Sequence, residues 1–165
     1  MAMEMELVGV RVQVPSNAPI VLLREAAGKR RILPIFIGGP EAHAIDLALS
    51  GTPTPRPMTH DLFQQTIELL GASLEQVVVT ELKDRTFFAE LHLRRGDDEV
   101  STISARPSDA IALAVRTGSP ILAEEAVIDE AGVEEDDVER PEEEELVEEL
   151  RRFLDVANPD DFASG

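Results

Sequence analysis

Apolar and polar side chains alternate at the start of the chain. Val8, Val10, Val12 and Val14 fall on one face and Gly9, Arg11 and Gln13 on the other, which predicts a half-buried strand over residues 6–14. Pro15 and Pro19 bracket the break that follows. Residues 20–24 and 31–37 predict two more strands around the turn residues Ala26-Ala27-Gly28-Lys29. Gly38-Gly39-Pro40 then opens a helix, with Pro40 and Glu41 in its first turn, that runs through His43, Ile45 and Leu49 to Gly51. Its Ala42, Ala44 and Ala48 permit close packing. Beyond a Pro-rich connector, Leu62, Phe63, Thr66, Ile67 and Leu70 recur at helical spacing and predict a helix over residues 59–70 with that stripe buried. Strands are predicted over 76–82, 86–93 and 100–105. The helix predicted over 108–117 is apolar almost all round, so it should be buried on most sides, and Gly118 ends it. Residues 120–123 predict a short edge strand and 124–131 a short helix.

Strands in blocks joined by tight turns argue for an α+β fold rather than alternating βαβ units. The expected architecture is a mixed, largely antiparallel sheet from two three-strand blocks, packed with three to four helices. Residues 1–131 form the expected domain. Residues 132–165 are expected to be an acidic linker and an amphipathic C-terminal helix, with Leu146, Val147, Leu150, Phe153 and Leu154 on its apolar side. A length of 165 residues at 43% hydrophobic content suffices for one real core.

Charge and composition narrow the chemistry. There is no Cys, so disulfides, thiolate metal sites and cysteine catalysis are unavailable. The first residues carry neither a basic region nor a long apolar run, and no stretch approaches the ~20 apolar residues of a membrane helix. A cytoplasmic protein without membrane partners is expected. The net charge of −18 is unevenly spread: residues 1–123 hold 12 Lys/Arg against 15 Asp/Glu, and residues 124–165 hold 3 against 18. The acidic tail reads as a solvated extension or, in a sharper alternative, as a nucleic-acid mimic that occludes a site in cis. The nearly neutral remainder lacks the basic footprint of an avid nucleic-acid binder. With six Phe and no Trp or Tyr, stacking platforms for single strands look sparse.

Two motifs carry the candidate chemistry. RPMTHDL at 56–62 and SARPSDAIALAVR at 104–116 each set an Arg-Pro pair before a hydroxyl residue, an Asp and an apolar helical run. Pro fixes φ and extends the Arg before it. Thr59 or Ser108 is then expected to cap a helix whose first turn holds Asp61 or Asp109, where the helix dipole favours negative charge. Together with LPIFIGGPEAHAI (33–45), KDRTFFAEL (83–91) and TGSPILAEEAV (117–127), the motifs resemble the bifunctional nuclease family, collinearly over roughly residues 5–127. That resemblance implies cleavage of both DNA and RNA and a homodimer.

Phosphodiester cleavage calls for carboxylates, a group that activates water and cations that stabilise phosphorane charge. Asp61 and Asp109 are the expected catalytic carboxylates, with His60 as an assisting base. Arg56 and Arg106 are expected to clamp phosphate with the guanidinium fork, with Ser108 as a further substrate contact. If Mg²⁺ or Mn²⁺ takes part, Asp61, Asp109 and Glu41 are its candidate ligands, although no dedicated metal spacing is present. Asp46 and His43 lie near the first helix start, and His43 and His92 read more readily as structural. The alternative is a non-catalytic, dimeric regulatory or protein-binding module whose Arg-Pro junctions are structural ion pairs. An open positive groove where the two motifs meet favours cleavage; mutual burial of their charges favours structure.

Overall fold

A computed structural model describes residues 1–13, 16–97 and 99–138. The amphipathic C-terminal helix expected around Leu146 to Leu154 lies outside the described residues. The elements run β1 (Ala2–Gln13), β2 (Ala18–Glu25), β3 (Ile32–Phe36), α1 (Gly39–Ser50), α2 (Thr59–Leu69), β4 (Ala72–Lys83), β5 (Thr86–Arg95), β6 (Ser101–Ala105), α3 (Pro107–Thr117), β7 (Ile121–Glu124) and α4 (Glu125–Ala131). The strands make one seven-stranded sheet in the order β3-β2-β1-β7-β4-β5-β6. Every pairing is antiparallel except β4 with β7. This is the expected α+β class with a mixed, mostly antiparallel sheet built from two three-strand blocks.

The seventh strand corrects the sequence-based expectation. Residues 121–124 do not sit at an edge but at the centre, between β1 and β4, with Met5 and Val77 both opposite Ile121. Ile121 and Ala123 are buried. Four residues suffice because each meander leaves one open ladder edge, and an apolar insert covered on both sides completes both. The valine alternation in β1 is also only half right. A bulge between Leu7 and Gly9 changes the phase, so Met3, Met5 and Leu7 face the core before it and Val10 after it. Val8 and Val12 are exposed. Gly9, with φ 147°, is the residue that accommodates that bulge.

The helices cover the sheet unequally. α3 lies against β4 and β5 and touches both α1 and α2. Its Ala110 to Ala114 run is buried on every side, as its composition requires. α1 packs on β1 and β2 through Ile45. α2, by contrast, has no fully buried residue, and Leu62, Phe63 and Leu70 of its predicted buried stripe are exposed. It leans on α3 and β4 from the margin of the helical layer, so periodicity found the apolar face but not its partner. Elsewhere, Glu25 is buried and takes the Arg31 guanidinium bidentately, at 2.8 and 3.1 Å. Arg31 continues to Asp129 at 2.8 Å, tying the β2–β3 hairpin to α4. These bonds hold the Glu25 carboxyl below its ordinary value of 4.5, against its burial.

Candidate active site

Three helices start near one another, and each carries an acid as its third residue: Glu41 in α1, Asp61 in α2 and Asp109 in α3. That position faces the helix's own unpaired N–H groups, which is why an acid there stabilises the first turn. The cap residues are Gly38, Met58 and Arg106. Thr59 and Ser108 are therefore not caps: they are the first and second helical residues, with no capping hydrogen bond. Sequence alone misplaced them by one and two positions because Pro107 begins α3 itself, whereas Met58 intervenes between Pro57 and α2.

The three acids meet different partners. Asp61 accepts from its own cap residue, Met58 N–H, at 2.9 Å, and from Arg116 Nε at 2.7 Å. Arg116 is almost fully buried, and it first, then the Met58 N–H, holds the Asp61 carboxyl below its usual range. Asp109 accepts two bonds from Arg106, Nε at 2.7 Å and Nη2 at 3.0 Å, and one from His60 Nε2 at 2.9 Å. Burial pushes the Asp109 carboxyl up, but the bonds from Arg106 and His60 together outweigh it and leave it low. Glu41 reaches back over Gly38, where any side chain would overlap its carboxylate, and accepts from Arg106 Nη1 at 2.9 Å. Both carboxylates raise the Arg106 guanidinium above its ordinary value.

The two Arg-Pro motifs thus converge. His60 of the first touches Asp109 of the second, and Arg106 links Asp109 to Glu41. Ser108 lies on the far side of Arg106 from His60: it lines a crevice of about 390 Å³ with Arg106 and Glu41. His60, Asp109 and His43 line a neighbouring one of about 330 Å³ with the same two residues. Two expected site residues stand apart. Asp61 is turned to Arg116, and the Arg56 guanidinium has no partner among the described residues. Asp46 makes no bond with the cluster, and His92 faces Gln76 at 3.2 Å on the sheet. Sequence reasoning missed Arg116 as a partner, although it closes the second motif two turns along the same helical face as Asp109.

Because Asp109 is ionised, its carboxylate only accepts hydrogen bonds, so His60 Nε2 is the donor of that bond. The result is an oriented imidazole backed by an anion and next to a guanidinium whose side chain is 64% exposed. Among the described residues no three His, Asp or Glu side chains gather closely enough to hold a metal ion. A guanidinium occupies the space between Glu41 and Asp109, and a second guanidinium takes Asp61. The set as arranged does not fit a divalent ion.

Comparison with known proteins gives the chain its family. The chain is 46% identical over 164 residues to an uncharacterized protein of Mycobacterium tuberculosis strain H37Rv (Rv1829), covering 96% of this chain and 97% of the relative. It is 30% identical over 112 residues to bifunctional nuclease 2 of Arabidopsis thaliana and 29% identical over 114 residues to bifunctional nuclease 1 of Oryza sativa subsp. indica. Those matches span 66% and 68% of this chain and 34% of each plant protein. The family model described as the bifunctional nuclease domain matches residues 21–136, which contain every residue of the cluster. The chain therefore belongs to the bifunctional nuclease domain family.

Proposed function

We propose that the chain is a nuclease that hydrolyses phosphodiester bonds of DNA and RNA at the junction of α1, α2 and α3. The observation that carries this is the His60–Asp109 pair beside the exposed face of Arg106. His60 Nδ1 takes a proton from water as the water oxygen bonds phosphorus. The bond to the leaving ester oxygen breaks, and that oxygen is protonated by solvent. Asp109 stabilises the imidazolium that forms, and Arg106 stabilises charge on the non-bridging oxygens. Ser108 and, from farther out, Arg56 contact the substrate. Asp61 contributes by fixing α2 on α3 and so aiming His60. If a divalent ion takes part, it must displace Arg106 from Glu41 and Asp109.

The partner expected from the family resemblance is a second copy of this chain. Met58, Leu62 and Phe63 form an exposed apolar strip that begins at the crevice holding His60, and a second copy covering it would wall that crevice. Sedimentation at micromolar concentration is expected to give a dimer, and Leu62→Glu to give a monomer.

A second reading has one specific observation behind it. Arg106 is already shared by two carboxylates, so the cluster carries no excess positive charge to draw a phosphate. That favours a non-catalytic dimeric module with structural ion pairs. The test is cleavage of end-labelled DNA and RNA, with Mg²⁺, Mn²⁺ or a chelator, by the wild type and by His60→Ala and Asp109→Asn purified in parallel. Cleavage that persists in chelator and disappears in both folded variants supports the nuclease. Cleavage abolished by chelator would mean that Arg106 gives way to a metal. Equal activity in all three proteins, or none in any, supports the second reading.

A further inference from the structure

The crevice on the Ser108 side of Arg106 has features that proton transfer at His60 does not use. Ser108 is 6% exposed, yet no group among the described residues hydrogen-bonds its hydroxyl. Its backbone N–H is open as well. Pro107 has no N–H, and the N–H groups of Asp109 and Ala110 both point to the Arg106 carbonyl at 3.1 Å. Ser108, with both of its donors unbonded among the described residues, therefore lines this crevice at the start of an eleven-residue helix. Opposite them the β4–β5 turn supplies Arg85 and Thr86. Arg85 has no carboxylate partner among the described residues, unlike Arg106. It also sits at φ 63°, after Asp84 at φ 50°, in a two-residue hairpin turn that favours Asn-Gly. A non-glycine side chain at such a φ strains the backbone, and here that strained position holds a guanidinium at the crevice. Phe36, 61% exposed at the end of β3, and the half-buried Phe87 give the crevice an apolar wall.

We infer that this crevice is a nucleotide subsite, in which Ser108 N–H and Oγ–H and the Arg85 guanidinium hold the phosphate next to the one cleaved, with that nucleotide's base against Phe36. The inference rests on the nuclease reading and deepens it. The crevice and the hydrolytic one share Arg106 and Glu41 as a common wall, so neighbouring phosphates of one strand straddle Arg106. Because Glu41 and Asp109 offset the charge of Arg106, Arg85 supplies the net positive charge that attracts the anion. A base laid on a single exposed Phe must be unstacked from its neighbours, so the subsite suits single strands over duplexes.

The experiment is a titration of ¹⁵N-labelled protein with thymidine 5′-monophosphate, with inorganic phosphate and with thymidine, following the Ser108 amide and Arg85 Nε. Thymidine monophosphate is expected to give saturable shifts at both. Inorganic phosphate is expected to give the same shifts at several-fold lower affinity, and thymidine to give none. Arg85→Ala is expected to weaken binding at least fivefold and Arg85→Lys less. Arg85→Gly, which relaxes the turn, should weaken binding while raising Tm, so a folding defect cannot mimic the effect. His60→Ala should abolish cleavage and leave monophosphate affinity within about twofold. Absence of a saturable shift at Ser108, equal affinity in Arg85→Ala, or shifts with thymidine alone would overturn the subsite. An overturned subsite alongside His60-dependent cleavage removes only this inference; binding intact with no cleavage by the wild type removes the nuclease reading instead.

Discussion

The two Arg-Pro motifs are near copies in sequence and opposites in use. In the second, Arg106 is the cap residue of α3, three positions before Asp109, so its guanidinium folds back onto that carboxylate. In the first, Met58 takes the cap position and Arg56 stands two residues farther out, so Asp61 bonds its own helix and Arg116 instead. Two inserted residues separate the arginine from the aspartate, leaving Arg56 without a carboxylate partner among the described residues and Asp61 bound to Arg116. A motif fixes which residues are close in sequence; the helix register decides which of them can touch.

The sharpest way to break that comparison is to remove each arginine. Arg106→Ala is expected to lower kcat by about 10²–10³, the usual loss for a charge-stabilising donor. Arg56→Ala should leave kcat unchanged and raise KM a few-fold, as for a peripheral charge that steers association. Equal losses would mean that the two motifs play equivalent parts.

Next in size is the contrast between the aspartates. Asp61→Asn leaves the buried Arg116 without its anion and is expected to cost about 1–3 kcal/mol, read as a lower denaturation midpoint. Asp109→Asn should cost less in stability, since Arg106 is exposed, but should remove cleavage. Acid provides a third comparison. Both folded aspartates titrate below their ordinary 3.8, and Glu25 below 4.5. Their stabilising contribution is therefore complete above those values and is lost as pH falls through the lower folded ones. Denaturant unfolding at pH 7, 4 and 3 should show that loss, and Asp61→Asn should flatten part of it. The smallest effect is expected at the second helical residue. Ser108→Ala removes a hydroxyl with no partner among the described residues and should change stability by less than about 0.5 kcal/mol, whereas the equivalent His60→Ala should remove cleavage.

Much of this was legible in the sequence, and the exceptions have physical causes. Alternation and turn residues marked the two meanders, and the all-round apolar composition of α3 announced its burial. The meeting of His60, Arg106 and Asp109 was foreseen as a condition, because both motifs point at helix starts. Capping was misassigned because the observed caps, Met58 and Arg106, are not capping residue types and precede the Thr and Ser whose chemistry suggests a cap. The exposed stripe of α2 was unreadable, since hydrophobic spacing reports a face and not what covers it. The central place of β7 was hidden because short apolar strands look alike at the edge and in the middle. Arg85 carried no signal in the sequence, because its place beside Arg106 and Ser108 appears only when the β4–β5 turn is folded against the start of α3.

The position of β7 has a consequence for the order of assembly. Each meander folds from neighbouring segments, but the ladder that unites them needs residues 121–124, which come late in the chain. Until they arrive, β1 and β4 each present an unpaired row of N–H and C=O groups, open to another chain as readily as to β7. A polypeptide ending before Ile121 should therefore associate edge to edge rather than persist as two independent half-domains.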